Sequence, residues 1–234
     1  MAKGKLGVLG GLGPQATQVF YQRVLDLTDA SRDQEHIPTL IFSDTQMPDR
    51  TKAILSGDTR AVEERLLADA RLLEEWGAAA IAIPCNTAHA FVPGLQAKLK
   101  VPVINMVAGT AAELKAAGVK RAGILATDGT IGLGLYRNAC AAAGIETVDP
   151  PPEIQRLVMS VIYDEIKQGK KGSWEKFAVI DGFLRDAGCD RGVLACTELS
   201  VFREQHALSD FYLDAMDVLA RRCVTACGYP LRHP

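Results

Sequence analysis

Short apolar runs recur at Leu6 to Leu9, Thr39 to Phe42, Ala79 to Ile83, Val101 to Ile104, Ala122 to Ala126 and Val193 to Ala195, and helical patterns separate most of them. Each run is too short for a buried helix and is rich in the residues that strands favour. Strands joined through helices can pair only in parallel, so the chain is predicted to be α/β. The spacing predicts helices over Pro14–Ala30, Thr59–Trp76, Ala108–Ala117, Thr130–Ala143, Glu153–Gln168, Ser173–Ala187 and Ser209–Ala226. In the second of these, Val62, Leu66, Leu67, Ala70 and Leu73 form the apolar face, which assigns Glu63, Glu64, Arg65, Asp69 and Arg71 to a solvated one.

Two cysteines stand at matching places in this alternation. Cys85 follows Ala78–Pro84 and precedes Asn86-Thr87-Ala88-His89; Cys196 follows Gly192–Ala195 and precedes Thr197-Glu198-Leu199. Each thiol is therefore expected at the carboxyl end of a strand, against a helix N-terminus, which is the functional end of an open α/β sheet. An internal echo strengthens the pairing: Gly7-Val8-Leu9-Gly10-Gly11-Leu12-Gly13 opens one half, and Gly123-Ile124-Leu125-Ala126-Thr127-Asp128-Gly129-Thr130 the other, each ahead of its own cysteine motif. The plainer alternative is that both are core cysteines, a common fate for this residue.

A helix N-terminus presents unpaired N–H groups and partial positive charge, which favours a thiolate and can hold a carboxylate. The amides of Asn86, Thr87, Thr197 and Glu198 are candidates to bind such a carboxylate, leaving its α-carbon to both sulfurs. One thiolate removing a proton while an opposite thiol returns one is the chemistry of stereoinversion.

The composition narrows the field. In 234 residues, 48% hydrophobic and 23% charged, there is enough for one large α/β domain or two smaller ones. A formal net charge of -2 gives no basic signal for nucleic acid or an anionic membrane. Six cysteines without regular spacing indicate free thiols in a reducing, cytoplasmic setting. The start Met1-Ala2-Lys3-Gly4-Lys5 faintly imitates a signal peptide, but Gly10-Gly11-Leu12-Gly13-Pro14 interrupts the apolar run, and no stretch is long enough to span a bilayer.

Other motifs carry competing interpretations. Gly11, Leu12 and Gly13, followed by Pro14, suit an anion-facing turn, and from Gly11 the chain matches a dinucleotide pattern without its acidic partner, Asp44 coming too late. Arg50 can clamp a carboxylate or be a surface residue held by Asp49. Lys167, at a helix end, is favoured there by the helix dipole alone. His89 lies one turn past Cys85, placed to bond its sulfur or move its proton, and Cys85 with His89 is also a zinc-site fragment. Because His36, His206 and His233 do not group, no metal is assigned. Glu198 either supports Cys196 or simply favours a helix start. Cys140, Cys189, Cys223 and Cys227 are read as packing residues.

The chain resembles the aspartate/glutamate racemase family, and its cofactor-independent aspartate racemase branch in particular. The residues that carry the resemblance are Gly10-Gly11-Leu12-Gly13-Pro14 with Ala16-Thr17, Pro48-Asp49-Arg50-Thr51, Pro84 to His89, Ala126 to Thr130, Ile162 to Lys167, and Cys196-Thr197-Glu198-Leu199. It implies two Rossmann-like parallel-sheet domains, 1–107 plus 209–234 and 108–208, related by pseudo-two-fold symmetry with the active site in the cleft between them. It further implies Cys85 and Cys196 as the acid/base pair, with no cofactor. Arg50 and Lys167 would hold the substrate's carboxylates, and Asn86, Thr87, Thr127, Thr197 and Glu198 would surround its α-carboxylate and amino group. The implied partners are a small dicarboxylic amino acid and a second subunit in a homodimer, with no nucleic acid or membrane. A hydantoin or other acid racemase, a maleate-type isomerase, or a non-catalytic carboxylate-binding or redox module are the alternatives. Ser43-Asp44 departs from the family's asparagine ahead of the arginine loop, and Asp210-Phe211 and Leu213 replace its late Asp-Thr and histidine.

Overall fold

The computed structural model describes residues 3–232, so the Met1-Ala2 start and His233 lie outside it. The fold divides into two units. One takes in the residues up to Met106 and those from Met216 onward, and the other comprises Val107–Ala215.

In the first unit, β1 (Lys5–Gly10) lies between β2 (Thr39–Ser43) and β3 (Ala78–Ala82), all parallel. Helix α1 (Pro14–Leu27) follows β1, α2 (Arg50–Ser56) and α3 (Arg60–Glu75) lead from β2 to β3, and α4 (Val92–Gln96) follows a 3-10 turn over Thr87–Ala90. The α3 stripe of Val62, Leu66, Ala70 and Leu73 packs with Leu9, Ile81 and Ile83 into one core. Burying each such side chain contributes about 1.5–3 kcal/mol. The strand expected over Val101–Ile104 is reduced to one parallel bridge, Val103 on Ile81. Pro102 there can accept from Ile81 but has no N–H to continue a ladder.

The second unit begins with α5 (Met106–Ala116), whose first residue belongs to the other unit. Its parallel sheet has the order β5-β4-β6-β7, from β4 (Arg121–Leu125), β5 (Glu146–Val148), β6 (Arg191–Leu194) and β7 (Tyr212–Asp214). Between them run α6 (Asp128–Gly132), α7 (Leu135–Ala143), α8 (Pro152–Met159), α9 (Trp174–Asp186) and α10 (Thr197–Gln205); α11 (Ala215–Ala226) follows β7. In both units the cysteine-bearing connection leaves the strand next to the unit's first one, β3 beside β1 and β6 beside β4.

Three predicted helices are corrected; Thr130–Ala143 is split into α6 and α7 at Gly134, which takes φ 62°. Ser209–Ala226 opens with strand β7, since Tyr212 to Asp214 pair with β6 before the helix can start. The span Glu153–Gln168 is helical but not uniform: after α8 it widens into a π-helix over Ser160–Glu165 and tightens into a 3-10 turn over Ile166–Gln168. Such irregular turns often sit at functional positions.

Candidate active site

In the first unit three loops leave the carboxyl ends of neighbouring strands. Gly11 takes φ 87° and would drive a Cβ to 2.4 Å from the main chain of Asp44, so the first two loops touch only because this residue is glycine. They are stitched at both ends. The Asp44 N–H donates to the Gly10 carbonyl (3.2 Å), and Arg50 donates to the Leu12 carbonyl (2.6 Å) and the Pro48 carbonyl (3.0 Å). Thr17 closes the turn from inside, accepting from the Gly11 N–H (2.9 Å) and donating to the Gly13 carbonyl (3.0 Å). Arg50, at the first position of α2, is 8% exposed and is not the surface arginine of the plainer alternative.

The third loop carries Cys85, Asn86 and Thr87, all buried. The expected α-helix after Cys85 is replaced by the 3-10 turn, and a separate short helix, α4, starts at Val92 with Pro93 in its first turn. His89 is buried, and its ring is engaged by main chain: Nδ1 donates to the Cys85 carbonyl (2.9 Å), while Nε2 accepts from the Met106 N–H (3.0 Å). Burial pulls its pKa down, so the ring stays neutral. These bonds make His89 a brace for the Cys85 loop, in place of the sulfur contact and proton shuttling expected from its spacing.

In the second unit, Cys196 is the extended N-cap of α10 and is 5% exposed. Its Sγ donates to Glu198 Oε2 across 2.9 Å, and Glu198 Oε1 in turn accepts from the Lys167 ammonium. Burial raises the Cys196 pKa well above that of an ordinary thiol, and the Glu198 charge adds to it against a smaller opposing effect from Lys167. The helix N-terminus was expected to favour a thiolate; desolvation and the adjacent carboxylate outweigh it. Cys196 is therefore a thiol that already holds its proton.

Lys167 owes its place to the irregular helix before it. Lys176 of α9 binds Ser160 (2.9 Å) and Glu165 (2.5 Å) at the two ends of the π segment, and Glu165 also accepts from the Ser173 N–H (2.8 Å). The Tyr163 ring lies 5.4 Å from the Lys167 ammonium. Thr127, buried, caps α6 by accepting from the Thr130 N–H (3.4 Å), and Thr197 is buried at the first position of α10. Cys85 with Arg50, Asn86, Thr87 and the glycine loop thus belongs to the first unit, and Cys196 with Thr127, Lys167, Thr197 and Glu198 to the second.

Buried polar residues beyond those the sequence suggested also emerge. Asp44 accepts from the Gln46 N–H (2.9 Å) and takes two bonds from Arg65, one to each carboxylate oxygen. Asp69 is 8% exposed, which corrects its assignment to a solvated face. A signal was present: Asp69 falls three after Leu66 and four before Leu73, inside the apolar stripe. In the second unit Asp214 accepts from Ser200 (2.7 Å) at the carboxyl end of β7.

Comparison with known proteins shows the family and the fold. A family model described as Asp/Glu/hydantoin racemase matches residues 9–223. The broad specificity amino-acid racemase RacX of Bacillus subtilis is 27% identical over 228 residues, 94% of this chain and 96% of that protein. The structure of Picrophilus torridus aspartate racemase superposes with a TM-score of 0.86 at 30% identity, covering 98% of this chain and 96% of that one. The glutamate racemase of Francisella tularensis, solved with D-glutamate, shares the fold at 18% identity and a TM-score of 0.68, over 96% of this chain and 81% of its own. The protein belongs to the Asp/Glu/hydantoin racemase family and is an amino-acid racemase, an isomerase.

Proposed function

We propose that the enzyme interconverts the enantiomers of aspartate, with glutamate as a second substrate, using Cys85 and Cys196 on opposite faces of the α-carbon. The observation that carries this is the chain from Cys196 through Glu198 to Lys167. It leaves one thiol protonated and ready to act as the acid, while a second cysteine stands at the corresponding strand end of the other unit. In the forward half-reaction Cys85, as thiolate, removes the α-proton and Cys196 delivers its own to the other face. Cys85 ends as thiol and Cys196 as thiolate; the reverse half-reaction exchanges these roles.

An α-proton is far less acidic than a thiol, so the developing negative charge must be stabilised strongly. Main-chain donors at the start of α10 and at Asn86 and Thr87 are suited to this, each well-aimed donor being worth roughly 2.7–4 kcal/mol in other enzymes. Arg50 supplies a cation that two carbonyls hold in place, suited to a dicarboxylic substrate. The similarity to an aspartate racemase over nearly the whole chain supports the substrate. A homodimer is part of the proposal, and light scattering checks it.

Incubating each pure enantiomer of aspartate and glutamate in deuterated water tests the proposal. Loss of optical rotation with α-deuteration is expected, and either substitution, Cys85→Ala or Cys196→Ala, should abolish it. Unchanged rotation with all acidic amino acids removes the substrate assignment. Failure of a short bifunctional thiol reagent to join Cys85 to Cys196 removes the two-cysteine mechanism.

A further inference from the structure

Lys167 reaches Glu198 from a segment that is not a regular helix. Ser160 and Glu165 are the first and last residues of the π segment, and Lys167 lies two residues beyond it, in the 3-10 turn. A π turn closes i to i+5 and so holds one residue more than an α turn. If the segment relaxed to an α-helix, Lys167 would swing about 100° round the axis and shift about 1.5 Å along it, taking its ammonium off the Glu198 carboxylate. Because π turns are rare, contacts from outside the segment must hold this one.

One side chain is placed to do so. Lys176, in the first turn of α9, sends a single ammonium to Ser160 Oγ (2.9 Å) and to Glu165 Oε1 (2.5 Å). In an α-helix, residues five apart point about 140° away from each other, whereas the π turn brings them toward one side. The Glu165 side chain is 13% exposed and that of Lys176 35%. The second Glu165 oxygen accepts from the Ser173 N–H (2.8 Å), which fixes the start of α9 to the same carboxylate. A further clasp follows Lys167. The Gly172 N–H donates to Gln205 Oε1 and the Gly172 carbonyl accepts from His206 Nε2, both at 2.9 Å. Gln205 ends α10, the helix that Cys196 caps. The stretch carrying Lys167 is therefore gripped by α9 and by the helix that bears the sulfur.

We propose that Lys176 is a positioning residue for the Cys196 thiol: it ties Ser160 to Glu165, the π turn so kept aims Lys167 at Glu198, and Glu198 faces the sulfur already paired. This rests on Cys196 being an acid/base residue of the proposed reaction. Of the charged groups that act on Cys196, Glu198 disfavours its thiolate and Lys167 favours it. Without Lys167 in place, the sulfur stands beside an uncompensated carboxylate and gives up its proton less readily.

The test is a double-mutant cycle on the full-length protein, read as the pH midpoint of Cys196 alkylation by iodoacetamide. Lys176→Met should raise the midpoint by about one pH unit, a tenfold loss of thiolate at any pH below it, and Lys167→Met should do the same. The double variant should show no further rise, because it has no lysine left to aim. Lys176→Arg, which can still bond to both Ser160 and Glu165, should keep the wild-type midpoint. General loosening of the fold gives the opposite sign, since water reaching the sulfur lowers the midpoint. Should Lys176→Met fail to fold, Glu165→Gln serves in its place: it can accept from only one of Lys176 and Ser173, and should also raise the midpoint. An unchanged or lowered midpoint in the folded variant, or shifts of the two lysine variants that add in full, overturns the proposal. With aspartate, kcat/KM should fall about three- to tenfold in Lys176→Met and recover in Lys176→Arg, and an unchanged value would likewise overturn it. Absence of turnover in the wild type would remove the substrate assignment, while the alkylation cycle, which needs no substrate, still decides the role of Lys176.

Discussion

The thiol of Cys196 donates to the carboxylate of Glu198 across 2.9 Å, and that carboxylate is paired with Lys167. A buried sulfur beside a negative charge keeps its proton, so the resting enzyme holds an acid at this position. Glu198→Gln removes the charge but leaves an acceptor. It should shift the alkylation midpoint of Cys196, followed peptide by peptide with iodoacetamide, downward by about one pH unit. Lys167→Met should shift it upward, because the lysine charge favours the thiolate. There is a stability consequence of the same sign. An unfolded thiol loses its proton near the ordinary value of 9.0, whereas folded Cys196 retains it. Its contribution is complete below that pH and is lost as pH rises above it. Cys196→Ala should flatten the alkaline limb of a pH–stability curve.

Gly11 makes a second case, in which geometry alone decides. A side chain there meets the Asp44 main chain at 2.4 Å in a conformation, φ 87°, that L residues avoid. Gly11→Ala should cost about 3 kcal/mol or more, from strain plus displaced backbone. A chain of this length would lose roughly 6–12 °C in Tm. The displaced segment ends at Arg50, so the surviving folded fraction should also show a raised KM. An unchanged Tm would mean that the loops separate at little cost.

His89 braces two main-chain groups, the Cys85 carbonyl and the Met106 N–H. His89→Ala removes the ring's bond to each of these groups, at roughly 1–3 kcal/mol each. Thermal unfolding should show a Tm lower by about 4–24 °C. Burial depresses the folded-state pKa below the ordinary 6.5, so the histidine's contribution is full above that value. It is lost as pH falls below 6.5, since the unfolded chain takes up the proton first. The variant should lack this part of the acid limb.

The strand ends and the two cysteine junctions were legible because a short apolar run followed by a cap or turn residue has few other ways to fold. What escaped was decided by tertiary contact. Tyr212 to Asp214 pair with β6 although the surrounding pattern is helical. His89 sits at helical spacing from Cys85, but periodicity does not reveal that main-chain groups will claim both ring nitrogens. Asp69 was assigned to solvent by residue type, although its place in the α3 stripe contradicted that. The departure at Ser43-Asp44 likewise gained meaning only once Arg65 was seen to grip Asp44. Residue type indicates what a side chain can do, whereas the competition among neighbours decides which option it takes.

Arg50 is the residue at which loop architecture and the proposed chemistry meet most directly. Its guanidinium binds the Leu12 and Pro48 carbonyls at 2.6 and 3.0 Å, so its direction is fixed before a ligand arrives. Arg50→Lys keeps the charge but gives up the planar fork, which cannot be replaced by one ammonium serving two carbonyls and a carboxylate together. If the group binds ground state and transition state equally, KM should rise about 10- to 100-fold while kcat stays within roughly threefold. Arg50→Gln, which removes the charge as well, should raise KM further and reduce discrimination between aspartate and a neutral amino acid of similar size. Steady-state kinetics on both substrates separates the outcomes. A kcat that falls in step with kcat/KM would place Arg50 on charge that develops only during proton transfer, and would transfer the substrate's distal carboxylate to another cation.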